Sequence, residues 1–383
     1  MKRIVVIAED YDRTLALLKE LDNLGAKTVL WNVSTGALAP TQAPEDAVYF
    51  SRQSPSCATR GHLGSIRYVR NLLWWLQLHG CTVINGLRAF EMEMSKAAQM
   101  ALLHAHGVNT PRTQLVLSTH QLWAELVNAS GHPATPIIIK PDTGGSGVGI
   151  QAFANASQAA MHFREQQHLQ GTAVDPTLWI VQEHVNAFTT DESKMRSILR
   201  FEIVAGKVLY VMQIRAPATE FKLCPCDPKM EAIMSKIEFR ILADPLSIPC
   251  FQGRPEAYCA FVEKLEGVWA AVDAKVGSAE AFMPIEYADD ADMRTYSEET
   301  RLAPNEPVVF EINFNSNYNK KAEDLAGVNG AREVAAMLVR VALAGEYMPS
   351  LVLPELRELP LSLSPPLSPL MLPPPLSPLI LEV

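Results

Sequence analysis

The run from Ile137 to Ile150, IIIKPDTGGSGVGI, restricts the possible fold more than any other part of the sequence. Three isoleucines followed by Lys140 predict a buried strand that ends on a positive charge. Glycines then recur, and glycine lets backbone N–H groups approach an anion closely and adopt positive φ. A lysine at the strand end adds a point charge for the same phosphates. The run predicts a phosphate-binding turn or, without a ligand, a plain glycine hairpin.

Two other phosphate-binding motifs do not fit this run. A Walker loop places its lysine after the glycines and before Ser or Thr, whereas Lys140 precedes them. The segment Gly147–Ala152 matches a relaxed dinucleotide fingerprint, which should open a helix. Ile150–Phe153 has the pattern of a strand instead, so neither motif accounts for the turn.

Length and charge narrow the class of protein. A chain of 383 residues predicts two or three structural units, and 48% hydrophobic with 20% charged residues is an ordinary globular balance. The net charge of -9 argues against a nucleic-acid or anionic-membrane binder. The N-terminal apolar run ends at Glu9, too short for a signal-peptide core or a membrane span. We expect a cytoplasmic protein.

The cysteines indicate no metal or disulfide framework. Six are scattered along the chain, and only Cys224 and Cys226 lie close together. Cys-x-Cys is not the spacing of a zinc knuckle, and without a signal peptide the thiols are expected to be reduced.

The pattern of apolar residues predicts an α/β (α+β) protein. Strand 3–8, helix 12–24 and strand 27–31 form a β-α-β opening of Rossmann type. Further strands are predicted at 47–50, 81–84, 113–116, 137–140, 149–153, 179–183, 199–204, 208–215, 282–287 and 308–313. Further helices are predicted at 66–78, 91–106, 121–128, 158–167, 256–276 and 331–343.

The chain changes character from about Leu353, where Leu, Pro and Ser dominate. Proline at this density removes backbone donors and blocks helices and central strands. We expect a disordered or polyproline-like tail, either dispensable or used for docking.

Four further segments accompany the glycine turn in a fixed order. Upstream, Ser95-Lys96 lies within a helical pattern. Downstream come a polar-ended strand, 179–185, and a hairpin that runs from Arg200 to Arg215. The last segment is Glu311-Ile-Asn313 in an apolar strand. Together, over about residues 1–345, these segments resemble the ATP-grasp superfamily, in the RimK-like branch of ribosomal-protein glutamate ligases and related amino-acid ligases.

This resemblance implies a domain organisation. Residues 1–90 would form a Rossmann-like pre-ATP-grasp domain. Residues 91–180 would form the N-lobe with the glycine-rich loop, and residues 181–348 the C-lobe with the metal-binding strand. ATP would bind in the cleft between the lobes, and residues 349–383 would form the disordered tail.

The resemblance also implies a nucleotide site. Two lysines would hold the ATP phosphates, the glycine turn would wrap them, and a hinge strand would receive adenine. A ribose-binding acid would follow, with Glu192 as an alternative to Asp191. In that order, the residues are Lys96, Lys140, Gly144, Gly145, Ser146, Gly147, Gln182, Glu183, His184, Val185 and Asp191.

The strand that carries Glu311 and Asn313 predicts a metal site. The two side chains alternate along the strand and therefore share a face, and Asn315 continues that face. Their oxygens suit magnesium, with manganese as the alternative, bridging nucleotide phosphates. By resemblance, the acid of the preceding strand would be Glu286.

The predicted reaction follows from the resemblance. Arg215 would lie near the transferred phosphate and stabilise its charge, with Arg200 as a second candidate. We expect an ATP- and magnesium-dependent ligase that joins a carboxylate to an amine through an acyl-phosphate, with an amino acid as one reactant. A non-catalytic ATP-binding regulator and a small-molecule kinase are the alternatives.

The expected partners are a small-molecule carboxylate and an amine, as free amino acid or peptide, with neither nucleic acid nor membrane. A homodimer is compatible with the sequence. The segment from Arg52 to Ser56, with Arg60, would lie near the substrate cleft or pair at the surface.

Overall fold

The structure is a computed structural model that describes residues 1–9, 14–117, 136–145, 147–170, 178–184, 195–217, 236–282, 306–315 and 318–344. The described residues all belong to one compact unit. The predicted tail and the predicted helix 121–128 lie outside the described residues. The domain boundaries stay predictions.

The first sheet has four parallel strands in the order β2-β1-β3-β4. Alternate residues of its strands pack against helices on both faces, as expected for a parallel sheet. The Rossmann-like opening is confirmed. The elements are β1 (Arg3–Ala8), α1 (Leu15–Asn23), β2 (Thr28–Asn32), β3 (Ala47–Ser51), α2 (Gly64–Leu78) and β4 (Thr82–Ile84), with a 3-10 helix at Pro55–Arg60.

The second sheet carries the glycine turn. Its strands run β5-β8-β6-β7 with antiparallel neighbours: β5 (Thr113–Leu117), β6 (Ile137–Pro141), β7 (Gln151–Phe153) and β8 (Leu178–Glu183). Helix α5 (Ala156–Gln170) packs on it. The glycines thus connect two paired strands, and they do not open a helix.

The third sheet has the order β11-β10-β9-β12-β13, all antiparallel. Its strands are β9 (Met195–Val204), β10 (Lys207–Pro217), β11 (Glu238–Ile241), β12 (Val276–Phe282) and β13 (Val308–Asn313). One face packs on helix α6 (Pro255–Ala271) in a core that contains Phe201 and Trp269. The chain ends its described part with α7 (Lys320–Ala326) and α8 (Gly330–Ala344).

Three predicted elements differ from the structure. The helix predicted at 91–106 is two helices, α3 (Leu87–Met94) and α4 (Lys96–Ala105), because Ser95 is extended and its hydroxyl accepts the Ala98 N–H at 3.2 Å. The helix predicted at 256–276 ends earlier, since Asp273 has a φ of 53°. Strand β12 therefore begins at Val276, whereas the prediction was 282.

Two smaller observations concern the predicted class. Cys57, Cys81, Cys250 and Cys259 are free thiols, whereas Cys224 and Cys226 lie outside the described residues. In the described part of the chain, no helix is both long and apolar enough to cross a bilayer.

Candidate functional site

One cavity, here called the first cavity, gathers most of the residues predicted from the sequence. It is lined by the glycine turn, by α3 and α4, and by the β9, β12 and β13 face opposite α6. The predicted residues that line it are Lys96, Lys140, Gly144, Gly145, Gly147, Gln182, Glu183, Arg200, Glu311, Asn313 and Asn315. Ser146, Val185, Asp191, Glu192 and Glu286 lie outside the described residues.

Lys96 ties helix α4 to the glycine turn. Its buried ammonium donates to the carbonyl oxygens of Gly144 at 2.6 Å and Asp142 at 3.3 Å. The Asp142 carboxylate in turn accepts the Ala97 N–H at 2.9 Å and the Ser95 hydroxyl at 3.2 Å. The start of α4 and the turn are therefore fixed to each other, with a cation at their junction.

Lys140 is a second buried cation in the same cavity. Burial lowers its pKa to about 8, although Glu311 acts in the opposite direction. A buried ammonium in this position gains most from an anionic ligand, because the ligand replaces the hydration that the charge has lost.

The glycine turn lies against the 3-10 helix of the first sheet. A Cβ at Gly145 would lie 2.2 Å from the Ser56 hydroxyl oxygen, so no larger residue fits without a shift. Gly149 has a φ of +79°, a conformation that side chains rarely adopt. Ser54 and Ser56 line the cavity, which places part of the predicted Arg52–Ser56 segment at the cleft.

The two arginines of that region have specific partners. Arg52 Nε donates to Asn315 Oδ1 at 3.2 Å, and the Asn315 amide donates back to the Arg52 carbonyl. Arg60 is paired with the buried Glu9, so it orients the 3-10 helix and does not line the cavity.

The residues of the predicted hinge strand β8 differ in whether they line the first cavity. Gln182 is buried, lines the cavity and donates to the Thr113 hydroxyl at 2.9 Å. The Glu183 carboxylate is held by the Arg112 side chain and accepts the Arg112 N–H at 3.2 Å. His184 does not line the cavity, and burial lowers its pKa to about 4.

Two carboxylates face each other across β12 and β13. The register pairs Glu311 with Glu280 and Asn313 with Ser278, so Glu280, Glu311 and Asn313 project from the same face. Glu280 was not predicted from the sequence, because the strand was placed six residues too late. The alternation of polar and small residues from Val276 was the signal that could have located it.

Arg200 is anchored between acids on this face. It donates to Glu202 at 2.7 Å and to Glu280 at 3.3 Å, and it is buried. Arg215 lies elsewhere. Its cross-strand neighbour is Ser197, whereas Arg200 lies opposite Met212, so strand alternation points the two arginines to opposite faces. Arg215 donates to Glu238 at 3.2 Å and does not line the cavity.

The side-chain oxygens of Glu280, Glu311 and Asn313 are suitable ligands for a magnesium ion whose remaining ligands are nucleotide phosphates. Among the described residues, no three His, Cys, Asp or Glu side chains cluster closely enough to hold a metal alone. Two carboxylates with one amide are the usual share of a protein when nucleotide phosphates supply the other ligands.

The outer edge of β13 is held by two residues that the sequence did not predict. The buried Glu93 accepts the Phe314 N–H, and Gln99 accepts the Ile312 N–H at 3.4 Å. Burial raises the pKa of Glu93 to about 8, partly offset by that N–H. Both side chains thus satisfy backbone groups that an edge strand would leave open.

An apolar surface lines another part of the first cavity. The rings of Phe282 and Phe310 stack with centroids 4.3 Å apart, and both line the cavity, as do Ile138, Ile150 and Ile198. A flat apolar surface beside buried cations suits a planar base attached to phosphates.

Comparison with solved structures identifies the fold. The RimK-domain ATP-grasp protein of Sphaerobacter thermophilus matches with a TM-score of 0.53 and 16% identity, over 87% of this chain and 98% of that one. D-cycloserine synthetase matches with 0.55 and 18% identity, over 88% and 99%. Bacillus anthracis D-alanine–D-alanine ligase complexed with ATP matches with 0.55 and 12% identity, over 90% and 98%.

No protein-family model and no curated protein matches the sequence. The fold itself is the ATP-grasp fold, as the order of motifs predicted.

Proposed function

We propose that this chain, which has the ATP-grasp fold, uses ATP and magnesium to join a carboxylate to an amine. The observation that carries the proposal is the first cavity, where Lys96 and Lys140 lie under a glycine turn with Glu280 and Glu311 across from them. Structural neighbours named as ligases support it, among them D-alanine–D-alanine ligase and the ATP-grasp ligase PsnB complexed with a minimal precursor.

The nucleotide would bind with its phosphates at the glycine turn. Lys96 and Lys140 supply two cations there, and the backbone of Gly144, Gly145 and Gly147 would let the phosphates approach closely. The stacked rings of Phe282 and Phe310 would receive the base, and Gln182 of β8 would contribute a polar contact at its edge.

Glu280, Glu311 and Asn313 would hold magnesium. When bound, the ion neutralises phosphate charge and aligns the reacting oxygens. Glu280 replaces Glu286 in this proposal, because it faces Glu311 directly in the sheet. One neighbour, PsnB, is described in a complex with Mg and ADP, which supports the assignment.

The first chemical step would be phosphoryl transfer. A substrate carboxylate oxygen attacks the γ-phosphorus, the bond from that phosphorus to ADP breaks, and an acyl-phosphate and ADP result. The protein mainly positions groups and balances charge in such a step. Arg200, held by Glu202 and Glu280, provides a fixed positive charge on this face of the cavity.

The second step would form the amide. The amine nitrogen attacks the acyl carbon, phosphate departs and the nitrogen loses a proton. The overall products are amide, ADP, phosphate and a proton. One of the two reactants is proposed to be an amino acid.

Product analysis tests the proposal. Purified protein is incubated with ATP, magnesium and amino acids in pairs, and ADP, phosphate and coupled products are quantified by mass spectrometry. We expect ADP release that requires both reactants and a product equal in mass to their sum minus water. Lys140→Ala should abolish turnover, whereas Arg215→Ala, with its exposed ion pair outside the cavity, should retain it.

Two outcomes would reject the ligase assignment. A stable phosphorylated product that accumulates without an amine would indicate a kinase. Nucleotide binding without turnover on any pair would indicate a non-catalytic ATP-binding protein.

A further inference from the structure

Strand β13 carries two of the proposed metal ligands and forms one edge of the third sheet. In the described part of the chain no strand pairs with its outer side, and side chains of helices α3 and α4 reach its N–H groups instead. The path of this edge strand therefore depends on hydrogen bonds from those helices.

Glu93 fixes the backbone directly after Asn313. Its Oε2 accepts the N–H of Phe314, and this N–H belongs to the peptide group between Asn313 and Phe314. Glu93 is buried at the wall of the first cavity. The peptide group that follows one proposed ligand is thus held by a side chain of α3.

Gln99 fixes the backbone directly after Glu311. Its Oε1 accepts the N–H of Ile312 at 3.4 Å, and this N–H belongs to the peptide group between Glu311 and Ile312. The Gln99 amide donates to the Met92 carbonyl oxygen at 3.1 Å, so both polar ends of the buried side chain are used. Gln99 does not line the first cavity, so it can affect a ligand there only through β13.

Asn85 joins the same part of β13 to the start of β12. Its Nδ2 donates to the carbonyl oxygens of Phe314 at 2.6 Å and Val276 at 2.9 Å, and its Oδ1 accepts the Val276 N–H at 3.2 Å. Phe314 is thus bonded through its N–H to Glu93 and through its carbonyl to Asn85. The strand that carries Glu280 is held at the same point as β13.

The same helical segment also holds the glycine turn. Lys96, which lies between Glu93 and Gln99 in the sequence, donates to the Gly144 carbonyl oxygen at 2.6 Å. The segment from Glu93 to Gln99 therefore fixes the glycine turn and the end of β13 relative to each other. A metal ion that bridges protein oxygens and nucleotide phosphates requires a defined spacing between them.

We propose that Glu93 and Gln99 are positioning residues for the metal site, acting through the peptide groups that follow Asn313 and Glu311. Residues that hold metal ligands in place commonly affect metal affinity almost as strongly as the ligands do. The inference rests on the proposed function, which assigns magnesium to Glu280, Glu311 and Asn313. It adds two residues that act through the backbone and need not touch the ion.

Binding of ADP with and without magnesium tests the positioning role separately from turnover. Dissociation constants of ADP are measured for the full chain by isothermal titration calorimetry at pH 7, once with excess magnesium and once with EDTA. The ratio of the two constants gives the contribution of the metal, and the constant in EDTA reports nucleotide binding without it. A misplaced metal ligand lowers the ratio, whereas a general loss of stability does not lower it selectively.

Two substitutions remove a hydrogen bond from β13. Glu93→Ala and Gln99→Met each leave one N–H without its acceptor, and each should reduce the ratio about tenfold with little change in EDTA. Gln99→Met exchanges two neutral side chains of similar length, so a change in charge does not account for its effect. This variant also keeps the test decisive if Glu93→Ala does not fold.

Glu93→Gln separates the hydrogen bond from the carboxylate. The glutamine keeps an acceptor for the Phe314 N–H, so the variant should retain most of the wild-type ratio. Because burial raises the pKa of Glu93 to about 8, its carboxyl is mainly protonated at pH 7, and the change removes little charge.

Glu266→Ala is the matched control. Glu266 Oε1 accepts the Val208 N–H at 3.3 Å in the same sheet, but Glu266 belongs to α6, on the face opposite the first cavity. This variant also removes the acceptor of a strand N–H, and it should leave the ratio unchanged.

Three results would overturn the positioning role. They are an unchanged ratio in Gln99→Met, an equal loss in Glu93→Gln and Glu93→Ala, or a comparable loss in Glu266→Ala. A wild-type affinity for ADP that does not depend on magnesium would reject the metal assignment, and the inference with it. The expected pattern of ratios in a protein that forms no ligation product would retain the positioning role and reject only the ligase function.

Discussion

Nucleotide binding should lose strength as Lys140 loses its proton. In the nucleotide-free protein, burial lowers the pKa of Lys140 to about 8, and bound phosphate should return this pKa towards or above the ordinary 10.5. Lys140 then has a higher pKa in the complex than in the nucleotide-free protein. Its contribution to the free energy of nucleotide binding is therefore full below pH 8 and declines as the pH rises. Between about pH 8 and 10.5, affinity should fall by roughly tenfold per pH unit.

The same linkage predicts proton uptake. At pH 8 about half of the free molecules carry a neutral Lys140, so binding of ADP with magnesium should take up about half a proton at this residue. Isothermal titration calorimetry in buffers of different ionisation enthalpy measures this number directly. Glu93 also titrates near pH 8, so a variant must separate the two groups.

Lys140→Arg provides that separation, because a guanidinium stays protonated throughout this range and Glu93 is unchanged. The variant should take up about half a proton less than the wild-type protein at pH 8 and should lose the steep decline above it. Equal proton uptake in the two proteins would refute the assignment of a depressed Lys140 pKa.

Three further substitutions probe the supports of the site. Glu93→Ala leaves an N–H beside β13 unpaired and should lower the free energy of unfolding by roughly 1–3 kcal/mol in chemical denaturation, whereas Glu93→Gln keeps an acceptor and should lose less. Gly145→Ala would press on Ser56 and should weaken ADP binding in calorimetry, whereas Gly64→Ala, which meets open space, should bind normally. Asn85→Ala removes four hydrogen bonds, three of them buried, so thermal unfolding should shift downwards by several degrees; an unchanged midpoint would contradict its role.

The position of the proposed phosphate-binding residues in the fold was predictable from the sequence because its determinants are local. Lys140 ends a strand and the glycines follow at once, so strand burial and turn chemistry place them together. The shared face of Glu311 and Asn313 was also predictable from the sequence, since a period of two residues fixes which side chains of a strand share a face.

Residues that depend on register or face could not be placed in this way. Arg215 lies near the end of its strand, as an active-site arginine would, but only its pairing with Ser197 shows that it points to the face opposite Arg200, away from the first cavity. Glu280 was missed through a boundary error, because the helical pattern at 256–276 extends past the true end of α6.

Glu93 and Gln99 show a different limit. Periodicity detects the apolar face of a helix, and both residues are polar positions that would ordinarily face solvent. They are buried because the edge strand β13 has open N–H groups, and those groups belong to a segment more than 200 residues away. The interruption between α3 and α4 at Ser95 has a similar cause. The Asp142 carboxylate, which is also distant in sequence, accepts hydrogen bonds from the Ala97 N–H and the Ser95 hydroxyl at the start of α4. The polar framework of this site is therefore set by which distant backbone groups require a partner, and only the assembled sheets reveal them.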